Sequence, residues 1–362
     1  MSKASSAADI FGADDFDVDR YLSNRPRFPP HIFSFIKSYL STSQANAAPF
    51  PGTLLDLGCG PGFSSFPLLD HPSFDKLIGI DTGKGMVRIA PQAYEAWLSS
   101  LPSGSQQRQN LQGKPVSFSV ASSSDLSEVV QDNSVNLAIA ATAAHWFDPG
   151  PTWAELSRAL KPGGAVVWFT YGENYLPRHP TLQGDIYHFM QGDSKAGDSI
   201  GPYFPQPGRS YLTNLLQQVP FPHEVRPALP STLREQWDVS SATRKLHPLA
   251  GEGYADLSWT TAPDAHALPA EAEPFRLEQV MSWERYESYI RSASAYHAYM
   301  REHAEEKEGP EDVVGRFVRS LRGKVDEERK RSIGTEEALD EAHVRVAWPL
   351  GLMAIKKKAK AT

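Results

Sequence analysis

The 362-residue sequence contains a single cysteine, Cys59, so no disulfide can form within it and the fold must rest on its core. That scarcity fits a reducing compartment. Positive charge is not in surplus either. Lys and Arg number 36 against 43 Asp and Glu, leaving −7 and no basic field to gather phosphates. Nucleic acid is therefore not expected as a main partner. No apolar run approaches the roughly 20 residues that span a bilayer, so no membrane contact is expected. The first residues are small, then acidic (Asp14, Asp15, Asp17, Asp19), the opposite of a secretory or mitochondrial leader, and a cytoplasmic protein is the expectation. Metal chemistry is not signalled. The 11 histidines are scattered without ligand spacing. Asp15-x-Asp17-x-Asp19 opens like a calcium loop, but Arg20 stands where glycine is needed and Pro26 where glutamate is needed. There are no internal repeats.

What is present is a 40% hydrophobic chain, enough for a substantial core, with a regular alternation of elements. Residues 1–15 read as disordered. Pro29 and Pro30 open a helix with Ile32, Phe33, Ile36, Tyr39 and Leu40 on one face. Short apolar strands follow at 53–57, 76–81, 116–120, 135–140 and 165–171, separated by helices and by a polar loop over 99–114. Strands alternating with amphipathic helices predict an α/β fold with a parallel, doubly wound sheet over 16–171. The rhythm stops at 172–272, a stretch rich in Pro, Gly and Tyr that reads as an inserted, partly helical cap over a site. Its aromatics Tyr175, Tyr187, Phe189, Tyr203 and Phe204 could line a pocket or form the cap's own core. Residues 273–362 read as C-terminal helices and last strands completing the sheet, ending in Lys356-Lys357-Lys358.

The most informative segment is Leu54-Leu55-Asp56-Leu57-Gly58-Cys59-Gly60-Pro61-Gly62, a strand running into a glycine loop and then a helix. Glycines there let the backbone turn sharply and approach a ligand. The spacing departs from the dinucleotide pattern G-x-G-x-x-G, because Ser65 and Phe63 stand where the third glycine would fall. Asp56 lies in the strand, where a carboxylate needs a partner, and a ligand ammonium would supply one. S-adenosylmethionine has an ammonium and NAD does not. Asp81 ends the next strand, 21 positions after Gly60, where an acid can accept both ribose hydroxyls, a feature that fits NAD equally well. Cys59 reads as a small residue in a tight turn rather than a nucleophile.

Further landmarks are Ser122-Ser123-Ser124-Asp125-Leu126 and Leu160-Lys161-Pro162-Gly163-Gly164. With these the sequence resembles the class I S-adenosylmethionine-dependent methyltransferases. It looks most like the trans-aconitate methyltransferase-like group of fungi, on Tyr21 to Pro29, on Ala143-Ala144-His145-Trp146-Phe147-Asp148, on Gly201-Pro202-Tyr203-Phe204 with Pro207-Gly208-Arg209, and on Tyr289-Ile290-Arg291-Ser292 with Ser294-Ala295. The resemblance implies a Rossmann-like sheet of seven strands, the last antiparallel, and a small-molecule acceptor, often a carboxylate. It puts the cofactor on Asp56, Gly58, Gly60, Asp81 and Met86, with the adenine edge on Ser123 and Ser124. Many relatives carry an acid where Ser122 stands.

His145 and Trp146 follow the fourth strand, beside the glycine loop, and their ring N–H groups could grip an acceptor carboxylate. Such an anion is ionised at neutral pH and needs no base. A phenol or alcohol would need one, and His145 is the catalytic candidate. Tyr21 and Arg25 lie on an N-terminal segment that the resemblance places over the cofactor, where Arg25 could pair with a carboxylate of either substrate. The expected activity is O-methylation of a small molecule. The alternatives are a nicotinamide-dependent oxidoreductase and a catalytically inactive S-adenosylmethionine-binding protein.

Overall fold

The structure, a computed structural model, describes residues 24–41, 52–192, 197–246, 265–267, 276–331 and 341–360. Residues 1–15 lie outside them. Among the described residues the helices are α1 (Pro30–Ser41), α2 (Phe66–Leu69), α3 (Lys84–Ser100), α4 (Gln106–Leu111), α5 (Pro149–Ala159), α6 (Gln183–Gln191), α7 (Gly208–Thr213), α8 (Ser231–Arg234), α9 (Trp283–Arg291), α10 (Ser294–Glu302) and α11 (Val313–Arg331). The strands are β1 (Gly52–Leu57), β2 (Phe74–Asp81), β3 (Val116–Val120), β4 (Val135–Ala141), β5 (Leu160–Tyr171), β6 (Trp237–Leu246), β7 (Ala265–Ala267), β8 (Arg276–Ser282) and β9 (His343–Lys357).

The strands form one sheet in the order β3-β2-β1-β4-β5-β9-β6-β7, with β8 also on β9. The first five run parallel, and β9 is antiparallel to both β5 and β6. The expected seven-stranded arrangement is thus present as β3 to β6, and β7 and β8 extend it to nine strands. β1 is buried along its whole length, as a central parallel strand covered on both faces must be. Its side chains alternate between two cores. Leu54 joins Ile32 and Ile36 of α1, while Leu55 and Leu57 join Trp153 and Leu156 of α5. On the α5 side Trp153 stacks on Trp168 at 4.5 Å and meets Trp237 edge-on at 5.0 Å.

Two expectations need correction. The stretch 172–272 is not a cap alone, because β6 and β7 lie within it and belong to the sheet. β6 lies next to the sheet's edge, covered on its outer side only by the three-residue β7, and has a mixed burial pattern, so its sequence, rich in Asp, Ser, Thr, Arg and Lys, reads as a loop. The polar 99–114 segment contains α4, capped by the Ser105 side chain, which accepts from the Arg108 N–H at 3.3 Å. Two of the three lysines at 356–358 are tied into the fold. Lys357 donates to the carbonyls of Ser157 and Leu160 at 2.7 and 2.9 Å, and Lys356 lies 4.8 Å from the Tyr39 ring centroid.

β9 is long enough to serve two sets of partners. Its second half pairs with β5 through Leu350–Lys356, and its first half pairs with β8 through His343–Pro349. Tyr175, just beyond β5, bridges to Ala347. The first half therefore rises past the carboxyl end of β5 and carries α9, which follows β8, up beside that end. Strand order reverses between β1 and β4, and ligands of open α/β sheets bind outside the carboxyl ends at such a switch point.

Candidate active site

At the carboxyl end of β1 the chain turns through the glycine loop, anchored by the Cys59 N–H to the Ile80 carbonyl at 2.8 Å. Gly58 has φ +67°, and a Cβ there would meet Ala143 Cβ at 2.5 Å, so the loop packs directly on the segment after β4. Gly60 has φ +51° with open space where a Cβ would go. Its N–H donates to Asp81 Oδ2 at 2.8 Å, and the Gly83 N–H donates to Oδ1 at 2.7 Å. Each oxygen keeps lone-pair capacity for a further donor. Burial raises the Asp81 pKa, and the backbone donors oppose that rise.

A cavity of about 830 Å³ opens above this loop. Of the residues expected on the cofactor, it is lined by Gly58, Gly60, Asp81, Met86, Ser123 and Ser124. The Ser123 hydroxyl is also hydrogen-bonded to Thr152 at 3.0 Å, and Ser122 Oγ accepts from the Ser124 N–H at 3.2 Å. Asp56 is not on that lining. Its carboxylate lies buried beneath the loop, with neither oxygen hydrogen-bonded among the described residues. Burial pushes its pKa up to about 7, Ser65 offsets part of the rise, and the Asp81 charge adds to it. Cys59 lines the cavity, but burial holds its thiol well above the usual value, which leaves it inert.

A second, smaller cavity of about 80 Å³ adjoins the first. The two share Arg25, Thr142, Trp146 and Tyr171 as walls. His145 lines only the smaller one, with its ring 5.1 Å from that of Trp146. Burial lowers the His145 pKa to about 3, helped by the charges of Arg209 and Arg25, so the ring is neutral at pH 7. Arg25 Nη2 donates to the Ser292 carbonyl at 3.0 Å, and the guanidinium lies 5.5 Å from the Tyr289 ring centroid. Tyr21 lies outside the described residues.

Three residues of the small cavity were given no site role from sequence. Arg209 sits 3.8 Å over the Phe204 ring and pairs with Glu173. Glu173 in turn accepts from the Asn174 backbone and side chain at 3.0 and 2.7 Å and from Gln191 at 3.0 Å. Tyr289 completes the wall, its hydroxyl accepting from Trp348 Nε1 at 2.8 Å. Pro207-Gly208-Arg209 and Tyr289 stood out as motifs, but nothing local in the sequence says that they meet. The cap aromatics divide. Phe204 lines the small cavity, Phe189 stacks on Phe317 at 3.9 Å in the core, and Tyr187 is exposed. No helix among the described residues is long and apolar enough to cross a membrane.

Comparison with known proteins agrees with this geometry. Residues 55–168 match the family described as Methyltransferase domain. The "Probable S-adenosylmethionine-dependent methyltransferase CRG1" of Saccharomyces cerevisiae is 22% identical over 85% of this chain and 88% of its own length. An uncharacterised methyltransferase of Mycobacterium tuberculosis is 26% identical over 43% of this chain and 51% of its own. Among solved structures, one from Anaeromyxobacter dehalogenans, provisionally assigned as a type II methyltransferase, superposes with a TM-score of 0.52. It is 22% identical over 91% of this chain and 97% of its own, a likeness of fold. The chain thus carries a class I S-adenosylmethionine-dependent methyltransferase domain, with the glycine loop and Asp81 at its switch point.

Proposed function

We propose that this chain methylates a carboxylate oxygen of a small molecule, with S-adenosylmethionine as donor. The observation that carries the reading is the small cavity set against the large one, with two arginines, Arg25 and Arg209, and one glutamate, Glu173, on its walls. That balance favours an anion. In the large cavity, of a size usual for small-molecule sites (about 300–1,000 Å³), Asp81 would hold the ribose and Met86 the adenine face, with Ser123 and Ser124 at the adenine edge. Gly58 and Gly60 would lie along the donor's amino-acid part. Asp56, one layer below the loop, joins Asp81 in making that floor favourable to a cation. The bound donor would supply an electrophilic methyl group.

The residues present then have to orient and dry the acceptor. Trp146 belongs to both cavities, so its indole can wall the junction where acceptor and donor meet. Arg25 stands at the same junction and can steer a carboxylate of either substrate. A carboxylate needs no deprotonation. This suits a His145 with a pKa of about 3, a poor base but a sound neutral hydrogen-bond donor, and it disfavours a phenol or alcohol acceptor.

The test is methyl transfer from tritiated S-adenosylmethionine to a panel of small mono- and dicarboxylic acids, scored as base-labile, volatile methanol. Carboxyl methylation gives that signal. Label that survives base, or label found only on phenols, replaces the carboxylate reading with a hydroxyl one. Tight donor binding with no transfer to any acid or phenol would support a catalytically inactive binding protein.

A further inference from the structure

Thr142, His145 and Arg209 come from separate stretches of chain, yet all three line the small cavity. Each brings a buried polar atom with no hydrogen-bond partner among the described residues: Thr142 Oγ1, His145 Nδ1 and Arg209 Nε. Buried polar groups are nearly always paired, and three orphans on one cavity of about 80 Å³ point to a missing common partner. All three can donate: a hydroxyl, an imidazole N–H in one tautomer, and a guanidinium N–H. A partner that accepts from three donors, and that also sits between Arg25 and Arg209, is an anion with several lone pairs.

The backbone adds a second, independent sign. Thr142 has φ +53°, a left-handed conformation that a β-branched residue rarely adopts. Its N–H is fixed to the Phe169 carbonyl at 2.8 Å, so the strain is held in place by β5. Such outliers collect where a side chain must be aimed at a ligand. Here the strained residue lies on the wall common to both cavities. Arg209 is equally fixed. Glu173 and the Met190 carbonyl hold Nη2, and Phe204 lies under the guanidinium, so the buried Nε is the guanidinium nitrogen left without a hydrogen bond among the described residues. Glu173 thus acts as a positioning residue.

Building on the carboxylate reading above, we propose that Thr142 Oγ1, His145 Nδ1 and Arg209 Nε form a three-donor receptor for the acceptor's carboxylate. The neutral imidazole donates without bringing charge of its own. The cavity's size admits a carboxylate with one or two attached carbons, so the receptor grips the end of the acceptor and the rest of the molecule extends toward the larger space.

The experiment is a titration of the full chain, labelled with ¹⁵N in its histidines, with sodium acetate, and with acetamide as the neutral control. It is run with and without S-adenosylhomocysteine. The His145 signal is identified by its loss in His145→Gln. Acetate should shift that signal saturably and acetamide should not. Thr142→Val keeps the shape and removes the hydroxyl, and it should weaken the apparent acetate affinity about tenfold. Thr142→Ser should restore it. Arg209→Lys keeps a positive charge opposite Glu173 while removing Nε–H, and it should weaken acetate similarly. A shift that does not saturate, an equal response to acetamide, or unchanged affinity in both Thr142→Val and Arg209→Lys overturns the receptor. The titration needs no turnover. Methyl esters formed by a protein whose His145 ignores acetate would sink the receptor alone, whereas acetate binding without ester formation would sink the activity alone.

Discussion

Asp56 offers the sharpest quantitative test, because its carboxylate is fully buried and lacks a hydrogen-bonded partner among the described residues. Its pKa stands at about 7 in the fold against 3.8 for the free group. The folded state therefore holds this proton more tightly than the unfolded chain does. Below about pH 4 the group is neutral in both states and costs nothing. As pH rises from about 4 to about 7, the unfolded chain has ionised while the fold still resists, and stability falls at about 1.4 kcal/mol per pH unit. Three units give a penalty on the order of 4 kcal/mol, constant above about pH 7. Asp56→Asn keeps the volume and removes the ionisation. The variant should exceed the wild type in urea denaturation by up to about 4 kcal/mol at pH 8, the gap narrowing below about pH 7 and closing near pH 4. Equal stability at pH 8, or a gap independent of pH, would refute the assignment of a strained, ionisable carboxylate beneath the loop.

Other outcomes follow from the same geometry. Asp81→Ala removes the acceptor for the Gly60 and Gly83 N–H groups, and calorimetry should find S-adenosylhomocysteine binding abolished; retained affinity would take Asp81 out of the site. Trp146→Ala should raise the acceptor KM by about tenfold or more, roughly the loss of 1.4 kcal/mol, with a much smaller effect on S-adenosylhomocysteine affinity. Unchanged acceptor kinetics would remove Trp146 from the junction. Asp312→Asn strips the buried partner of Arg291, which it meets at 3.0 Å, and should cost about 3–5 kcal/mol of stability while leaving S-adenosylhomocysteine affinity intact. A loss of cofactor affinity that matches the loss of stability would tie that ion pair to the site after all.

The parts of the fold legible in the sequence are those whose pattern is local. β1 to β5 are short apolar runs divided by amphipathic helices, and a parallel sheet follows from that alternation almost without choice. β6 was hidden because a strand flanked on one side only by the short β7 stays half solvated, so Asp238, Ser240, Thr243 and Lys245 gave it the look of a loop. The donor side was legible because the glycine loop and Asp81 are joined by one βα unit. The acceptor side was not, because Arg209 and Glu173 stand 36 positions apart and meet only through tertiary packing. Arg291, which shared a motif with Tyr289, turned inward to Asp312 instead of toward the cavity. Thr142 gave no signal at all, since a positive φ on threonine is imposed by its surroundings rather than chosen by the residue.

The double pairing of β9 has a consequence for acceptor choice. One lining residue of the small cavity, Tyr171, ends β5, and another, Tyr289, is tied through Trp348 to the other half of β9. The gap between them is thus set by strand register, which changes only in steps of about 3.3 Å and reverses every side chain at each step. Such a gauge cannot drift. Related chains that accept longer or shorter acids would have to trim or enlarge the side chains at its tips, leaving the spacing of the frame untouched.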